Sequence, residues 1–187
     1  SQSLIKDNYE KAALLGNANG MMNLGTLYGN GRHGVKQDLG KAVEWWTKAA
    51  ALGDLTAREC LKIFHCSKKL CVACREGDFN TVKTLLASGN VNANFQSENG
   101  QTPLLIACAH GYENIVKLLL ARKLIKINQV DNGGTTPLMM ACQENHLKVA
   151  IALLSQDGIA VNKPMDDGST PLIMASYCGN SSVVEQL

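Results

Sequence analysis

A chain of 187 residues with 45% apolar side chains can bury a core of its own, yet only 5% of its residues are aromatic. That balance favours thin helical layers packed through small residues over a broad β-sandwich. With 18 basic and 16 acidic residues, a net charge of +2, there is no global electrostatic case for nucleic acid or an anionic membrane as partner. The longest wholly apolar runs are a few residues, far short of the roughly 20 a membrane-spanning helix needs. The opening stretch SQSLIKDNYEKAALLGN shows no signal-peptide core. Cysteines stand at 60, 66, 71, 74, 108, 142 and 178, an odd number at spacings no small disulfide framework needs. Free thiols in a reducing, cytoplasmic compartment are expected.

In chain order, the first pattern has a period of 37. YEKAALLGN at residue 9 reads against WTKAAALGD at residue 46. Between them Gly25 lies inside a predicted helix, where it permits close packing, and Gly29, Gly31 and Gly34 supply a loop. Asp38 is a plausible N-cap for a second helix, with Leu39, Ala42, Val43, Trp46, Ala49 and Ala50 on its inner face and Gly53 as its stop. Leu24-Gly25, Tyr28, Gly31, Gly34-Val35, Asp38, Lys41-Ala42, Trp45, Ala49-Ala50 and Gly53 together resemble a Sel1-like repeat, a relative of the tetratricopeptide helical hairpins. The resemblance covers about residues 9 to 61, with one whole repeat and the close of an earlier one. LTARECLKIF reads as the first helix of a later, degraded copy and as a joint. No Gly or Pro linker interrupts LKIFHCSKKLCVA, so the two halves are expected to form one rigid body.

From residue 69 the period becomes 34. Thr102-Pro103-Leu104 recurs as Thr136-Pro137-Leu138 and Thr170-Pro171-Leu172. Ala73, Ala107, Ala141 and Ala175 keep the step, as do Asn94, Asn128 and Asn162, and Gly77, Gly111 and Gly179 with Asn145 in the remaining slot. Each feature has a local reason. Thr caps a helix whose first position suits Pro. Small Ala lets two helices approach. Gly or Asn takes the left-handed conformation that ends the helix. A second helix such as NIVKLLLA follows with one apolar face, then a loop to Asn and to turn residues, DNGG or MDDGS. Such a unit cannot bury its apolar face alone and must stack on copies of itself.

These residues resemble the ankyrin repeat, over about 69 to 187. The fold class expected is all-α, a helical-hairpin solenoid of Sel1-like repeats (1–66) stacked on about four ankyrin repeats (67–187, divided near 69–99, 100–133, 134–167 and a short 168–187). The first copy lacks the Thr-Pro opening. The family's His after Thr-Pro-Leu is replaced by Leu105, Met139 and Ile173, and because that His normally ties neighbouring loops, its loss is expected to loosen them. Each copy is also one residue longer than the usual 33 or so. Both ends stop inside a repeat, which reads as a piece of a longer protein.

Chemistry finds little support in this pattern. His65, Cys66, Cys71 and Cys74 offer four zinc-type ligands, but Cys74 is in register with Cys108 and Cys142, so packing is the expected role and no metal is assigned. Cys142 with His146, and Cys108 with His110, have nucleophile spacing but no orienting carboxylate or oxyanion hole. GNGRHG follows a helix, so it fails the context of a dinucleotide loop. Arg58, Lys62, Lys68 and Lys69 form a basic run with no aromatic platform. No cofactor and no catalysis are expected.

What is left is a surface. The resemblance implies a partner protein or peptide bound on loop tips and first helices. In the first copy these are Arg75 and Glu76, and in the second Glu98, Asn99, Gln101, Ala109 and His110. In the third they are Asn132, Thr135, Gln143 and Glu144, and in the fourth Asp166, Asp167, Ser169, Tyr177 and Cys178. Tyr177 and Arg75 are the expected anchors, and Glu144, Asp166 and Asp167 point to a basic partner. The alternatives are a targeting segment of a larger enzyme, a host-directed effector acting in a host cytosol, and a zinc-stabilised repeat protein.

Overall fold

The computed structural model describes residues 2–187, with side chains from Leu4 onward. Every element among them is helical. The chain divides into two compact units, Ser1–His65 and Cys66–Leu187.

The first unit holds α1 (Gln2–Leu14), α2 (Ala18–Asn30) and α3 (Leu39–Ala51). Asn17 caps α2 by accepting from the Gly20 N–H at 2.9 Å, and Asp38 caps α3 by accepting from the Lys41 N–H at 2.9 Å. Asp38 is thereby held ionised, its carboxyl below the usual range because the Lys41 N–H bonds to it. Glycines decide how near α2 and α3 come. A Cβ on Gly25 would lie 2.6 Å from the Trp46 ring, and one on Gly29 3.0 Å from it. The indole then fills the core with Leu24, Leu27, Tyr28, Ala42, Ala49 and Ala57. Past Ala51 the turn closes with Gly53 at φ 92°, the Gly53 N–H on Ala50 O and the Asp54 N–H on Ala49 O, an arrangement that satisfies the last carbonyls of the helix.

The next helix, α4, runs unbroken over Leu55–Glu76. LTARECLKIF, expected from the sequence as a helix and a joint, is the opening of this longer helix. It continues past Phe64 because no Pro or Gly stands there to stop it. Ala57 joins the core of the first unit, while Leu70, Cys71, Ala73 and Cys74 join that of the second.

The second unit continues with α5 (Phe79–Ala87), α6 (Pro103–Ala109), α7 (Glu113–Leu120), α8 (Pro137–Gln143), α9 (Leu147–Leu154), α10 (Pro171–Tyr177) and α11 (Ser181–Val184). The three Thr-Pro helices begin and end in step. Thr102, Thr136 and Thr170 accept from the N–H of Leu105, Met139 and Ile173 at 3.1, 3.1 and 3.4 Å. The turns that follow use Gly77, Gly111 and Gly179 at φ 73°, 70° and 70°, and Asn145 at φ 58°. One continuous core results, with the aligned Ala73, Ala107, Ala141 and Ala175 at its centre. The slot that holds His in the family is apolar here because it is buried. Leu105 is 1% exposed and Met139 0%. Ile173, in the same slot, is 52% exposed.

Side chains other than that His tie one repeat to the next. The Asn94 amide donates to Leu124 O at 2.8 Å and accepts from the Lys126 N–H at 2.8 Å. Asn128 repeats the clasp, donating to Gly158 O at 2.7 Å and accepting from the Ala160 N–H at 2.9 Å. His146 Nε2 lies 3.1 Å from Ala109 O, and the Asn180 amide donates to Cys142 O at 2.6 Å. The loops that sequence reasoning expected to loosen carry these cross-repeat bonds at two of the three Asn positions. Asn128→Ala is expected to lower stability by about 1–2 kcal/mol, since two hydrogen bonds are lost at a partly solvated place. Asn162→Ala in the same register, where no such clasp is made, is expected to stay within about 0.5 kcal/mol. Urea midpoints of the two variants check this, and equal losses would show that the clasp adds nothing.

Candidate functional site

Between each second helix and the next first helix the chain makes a tight finger. Gly100, Gly134 and Gly168, at φ 76°, 80° and 83°, donate their N–H to Ser97 O, Asp131 O and Met165 O at 2.8, 3.1 and 3.0 Å. The base of each finger is closed by the N–H of Ser97, Asp131 and Met165 on the carbonyls of Gln101, Thr135 and Ser169. Gly at the fourth turn position is what such a reversal favours. These three glycines are also 34 residues apart, a register the sequence reading passed over.

The fingers carry half of the residues expected to meet a partner. Glu98, Asn99, Asn132, Asp166 and Asp167 are exposed at the tips, while Gln101, Thr135 and Ser169 are half-buried at the bases. Neighbouring tips are bonded to each other: the Asn132 N–H donates to Asn99 O at 3.2 Å, and its side-chain amide to Glu98 O at 2.9 Å. Asn132 is thus a structural tie, leaving the Glu98 carboxylate free to face solvent. Asp167 accepts from the Ser169 N–H at 2.9 Å, and that bond, helped by the Ser169 hydroxyl, holds its carboxyl below the usual range. It is ionised at neutral pH.

The second row of expected residues sits where the first helices end. Arg75 lies in the last turn of α4, Ala109 ends α6, Gln143 ends α8 and Tyr177 ends α10, each 34 residues after the last. Glu76, His110, Glu144 and Cys178 follow them in the same step, all exposed. Tyr177 is 90% exposed, an unusual state for a large aromatic ring. Gln143 donates to Glu144 at 3.1 Å, and His110 stacks on Tyr112 with centroids 5.7 Å apart. Arg75, Glu144, Asp166 and Asp167 take part in none of the ion pairs among the described residues.

The nucleophile and metal candidates read differently. Cys74, Cys108 and Cys142 are fully buried and Cys71 nearly so. Burial pushes Cys71 up to about 11, Cys74 and Cys142 up to about 12, and Cys108 up as well. They are thiols, not thiolates, at neutral pH. His146, four residues past Cys142, spends its ring on the preceding repeat at Gly111 and Ala109. His65 is exposed and its Nδ1 lies 2.7 Å from Leu61 O. Among the described residues no group of three or more Cys, His, Asp or Glu is placed to hold a metal, so the zinc alternative has no assembled ligand set. Among the described residues, no helix is long and apolar enough to cross a membrane.

A family model described as ankyrin repeats (3 copies) matches residues 70–165 and 134–187, more than half of the chain. The chain belongs to the ankyrin repeat family. A Sel1 repeat model matches residues 18–54 ahead of it, so a Sel1 repeat precedes the ankyrin repeats as the sequence reading expected. No curated protein matches the chain. In the ankyrin region, positions 112, 146 and 180 form a further register that was missed. Tyr112 and His146 each pack their ring against the turn glycine of the preceding repeat, and Asn180 bonds to the preceding helix end. Only the unlike residue types, Tyr, His and Asn, hid it.

Proposed function

We propose that this chain is a scaffold that holds a basic protein or peptide on the row of first-helix ends and finger tips of its ankyrin repeats, with no chemistry of its own. Ankyrin and Sel1 repeats are in general protein-interaction modules. The repeats that form the surface divide near 69–99, 100–133, 134–167 and 168–187. The observation that carries the reading is Tyr177, 90% exposed one repeat beyond Gln143 and Glu144 and on the same repeat as Asp166 and Asp167. An exposed ring on the same row as carboxylates that enter none of the described ion pairs has the character of an interface anchor with a polar rim. The second- and third-copy fingers, bonded tip to tip, hold that part of the surface ready, which reduces the ordering cost of binding. Arg75, Glu76 and His110 extend it toward the first repeats. All seven cysteines are free, which supports a reducing, cytoplasmic setting.

The test is capture from a cytosolic extract by three forms of the chain: the native one, Tyr177→Ala, and the triple reversal of Glu144, Asp166 and Asp167 to Arg. All should show the same helical circular dichroism. A basic protein retained by the native chain and lost by both variants supports the groove. Identical captures by all three would remove it as the binding site.

A further inference from the structure

The loop after α7 breaks the repeat in a way the fold does not require. Arg122, Lys123 and Leu124 stand where the first copy has Ser88, Gly89 and Asn90 and the third has Gln156, Asp157 and Gly158. Helices α5 and α9 end without cations there, so closing a helix end does not explain Arg122 and Lys123. Leu124 is 83% exposed at a slot that holds Asn and Gly in its neighbours. The loop is also held still. The Asn94 amide clasps it at Leu124 O and the Lys126 N–H, so the exposed leucine stands on fixed backbone.

Beside it opens a cleft of about 610 Å³ between the first and second copies, whose lining includes Val91, Ala93, Arg122, Lys123, Leu124 and Ile125 and no acidic residue. Arg122, Lys123 and Lys126 are exposed and belong to no ion pair among the described residues. The equivalent cleft one repeat on has the same clasp, made by Asn128, but mixes Lys126 with Asp157. Same geometry with different chemistry marks the first cleft as specialised.

We infer that this cleft is a second binding surface, separate from the finger-tip row, that takes an acidic peptide segment carrying one apolar side chain. The apolar residue enters between Val91, Ala93 and Leu124, and flanking carboxylates meet Arg122, Lys123 and Lys126. Guanidinium and ammonium groups on a pinned loop attract such a segment from solution and fix its register. An anionic membrane is the weaker occupant. Three cations and one leucine give only about 1 kcal/mol per cation at a lipid surface, and a concave apolar lining suits an inserted side chain better than a bilayer.

The probe is a mixture of blocked peptides in which glutamate and aspartate are randomised around one fixed leucine, titrated into the isotope-labelled chain and followed by amide NMR. Saturable shifts are expected at residues 91–94 and 121–126, weakening with added salt. The variant Arg122→Glu with Lys123→Glu should weaken binding by about tenfold or more. So should the swap Arg122→Ser, Lys123→Gly, Leu124→Asn, which imports the first copy's own residues and therefore keeps the fold. A leucine peptide flanked by lysine should leave these amides unmoved. The inference is overturned by shifts that fall elsewhere, by shifts unchanged in either variant, or by no shift with the peptides. Binding to phosphatidylserine vesicles that the peptides do not compete away would also overturn it, in favour of a lipid surface.

Discussion

Gly111→Ala is expected to lower the stability of the ankyrin stack by about 2–5 kcal/mol, and Gly179→Ala by only about 1–2. Both glycines sit at φ 70° in the same slot of turns two repeats apart, so the backbone cost of a side chain in the left-handed region is shared. The surroundings differ. A Cβ on Gly111 would lie 2.5 Å from His146 Nδ1 and 2.8 Å from its Cγ, whereas one on Gly179 meets nothing within 4 Å. The His146 ring cannot swing aside without losing its contact with Ala109 O at 3.1 Å. Asn145 is an internal control: a side chain is accepted at φ 58° where the next repeat presents the smaller Asn180. Urea denaturation of the two variants, with Gly111→Ala/His146→Ala as a third, separates the terms. Equal losses at Gly111 and Gly179 would show that the ring contact is not part of the packing.

Raising the pH from 7.5 to 10 in reductant is expected to destabilise the second unit strongly. Cys71, Cys74, Cys108 and Cys142 have thiols pushed up from 9.0 by burial. Their folded values exceed the unfolded one, so the stability they confer is full below pH 9 and is lost as pH climbs toward 11 and 12. Each well-buried thiol then costs about 1.4 kcal/mol at pH 10, and with allowance for those nearer solvent the sum is about 3–5 kcal/mol. Cys178 is exposed and serves as the control: Cys178→Ala should leave the slope against pH intact, while Cys108→Ala should flatten it. A slope unchanged by Cys108→Ala would mean that other groups carry the pH dependence.

What could be read directly were the features whose cause is local. Thr before Pro caps a helix through its own hydroxyl, Gly or Asn reverses the chain through its own φ, and Asp38 caps α3 through its own carboxylate. These needed no partner from afar, and the period of 34 residues multiplied the signal. The finger tips and helix ends of the candidate site were legible for the same reason, since they occupy fixed slots in a repeating unit.

Tertiary structure decided what depends on neighbours. Leu105 and Ile173 share a slot and similar chemistry, yet one is 1% exposed and the other 52%, because only stacking buries it. Tyr112, His146 and Asn180 do one kind of work with three residue types, so composition could not reveal it. How far α4 runs past LKIF was set by no local signal beyond the lack of Gly or Pro there, and only the structure gives its full length, Leu55–Glu76. Asn132 looked like a free contact residue, but its amide is committed to Glu98 O, 34 residues back in the chain. Sequence alone determined the repeating unit, through steric rules that act within a few residues. Which side chains are left free to bind was settled by contacts between units 30 or more residues apart, where burial and hydrogen bonding depend on what lies opposite.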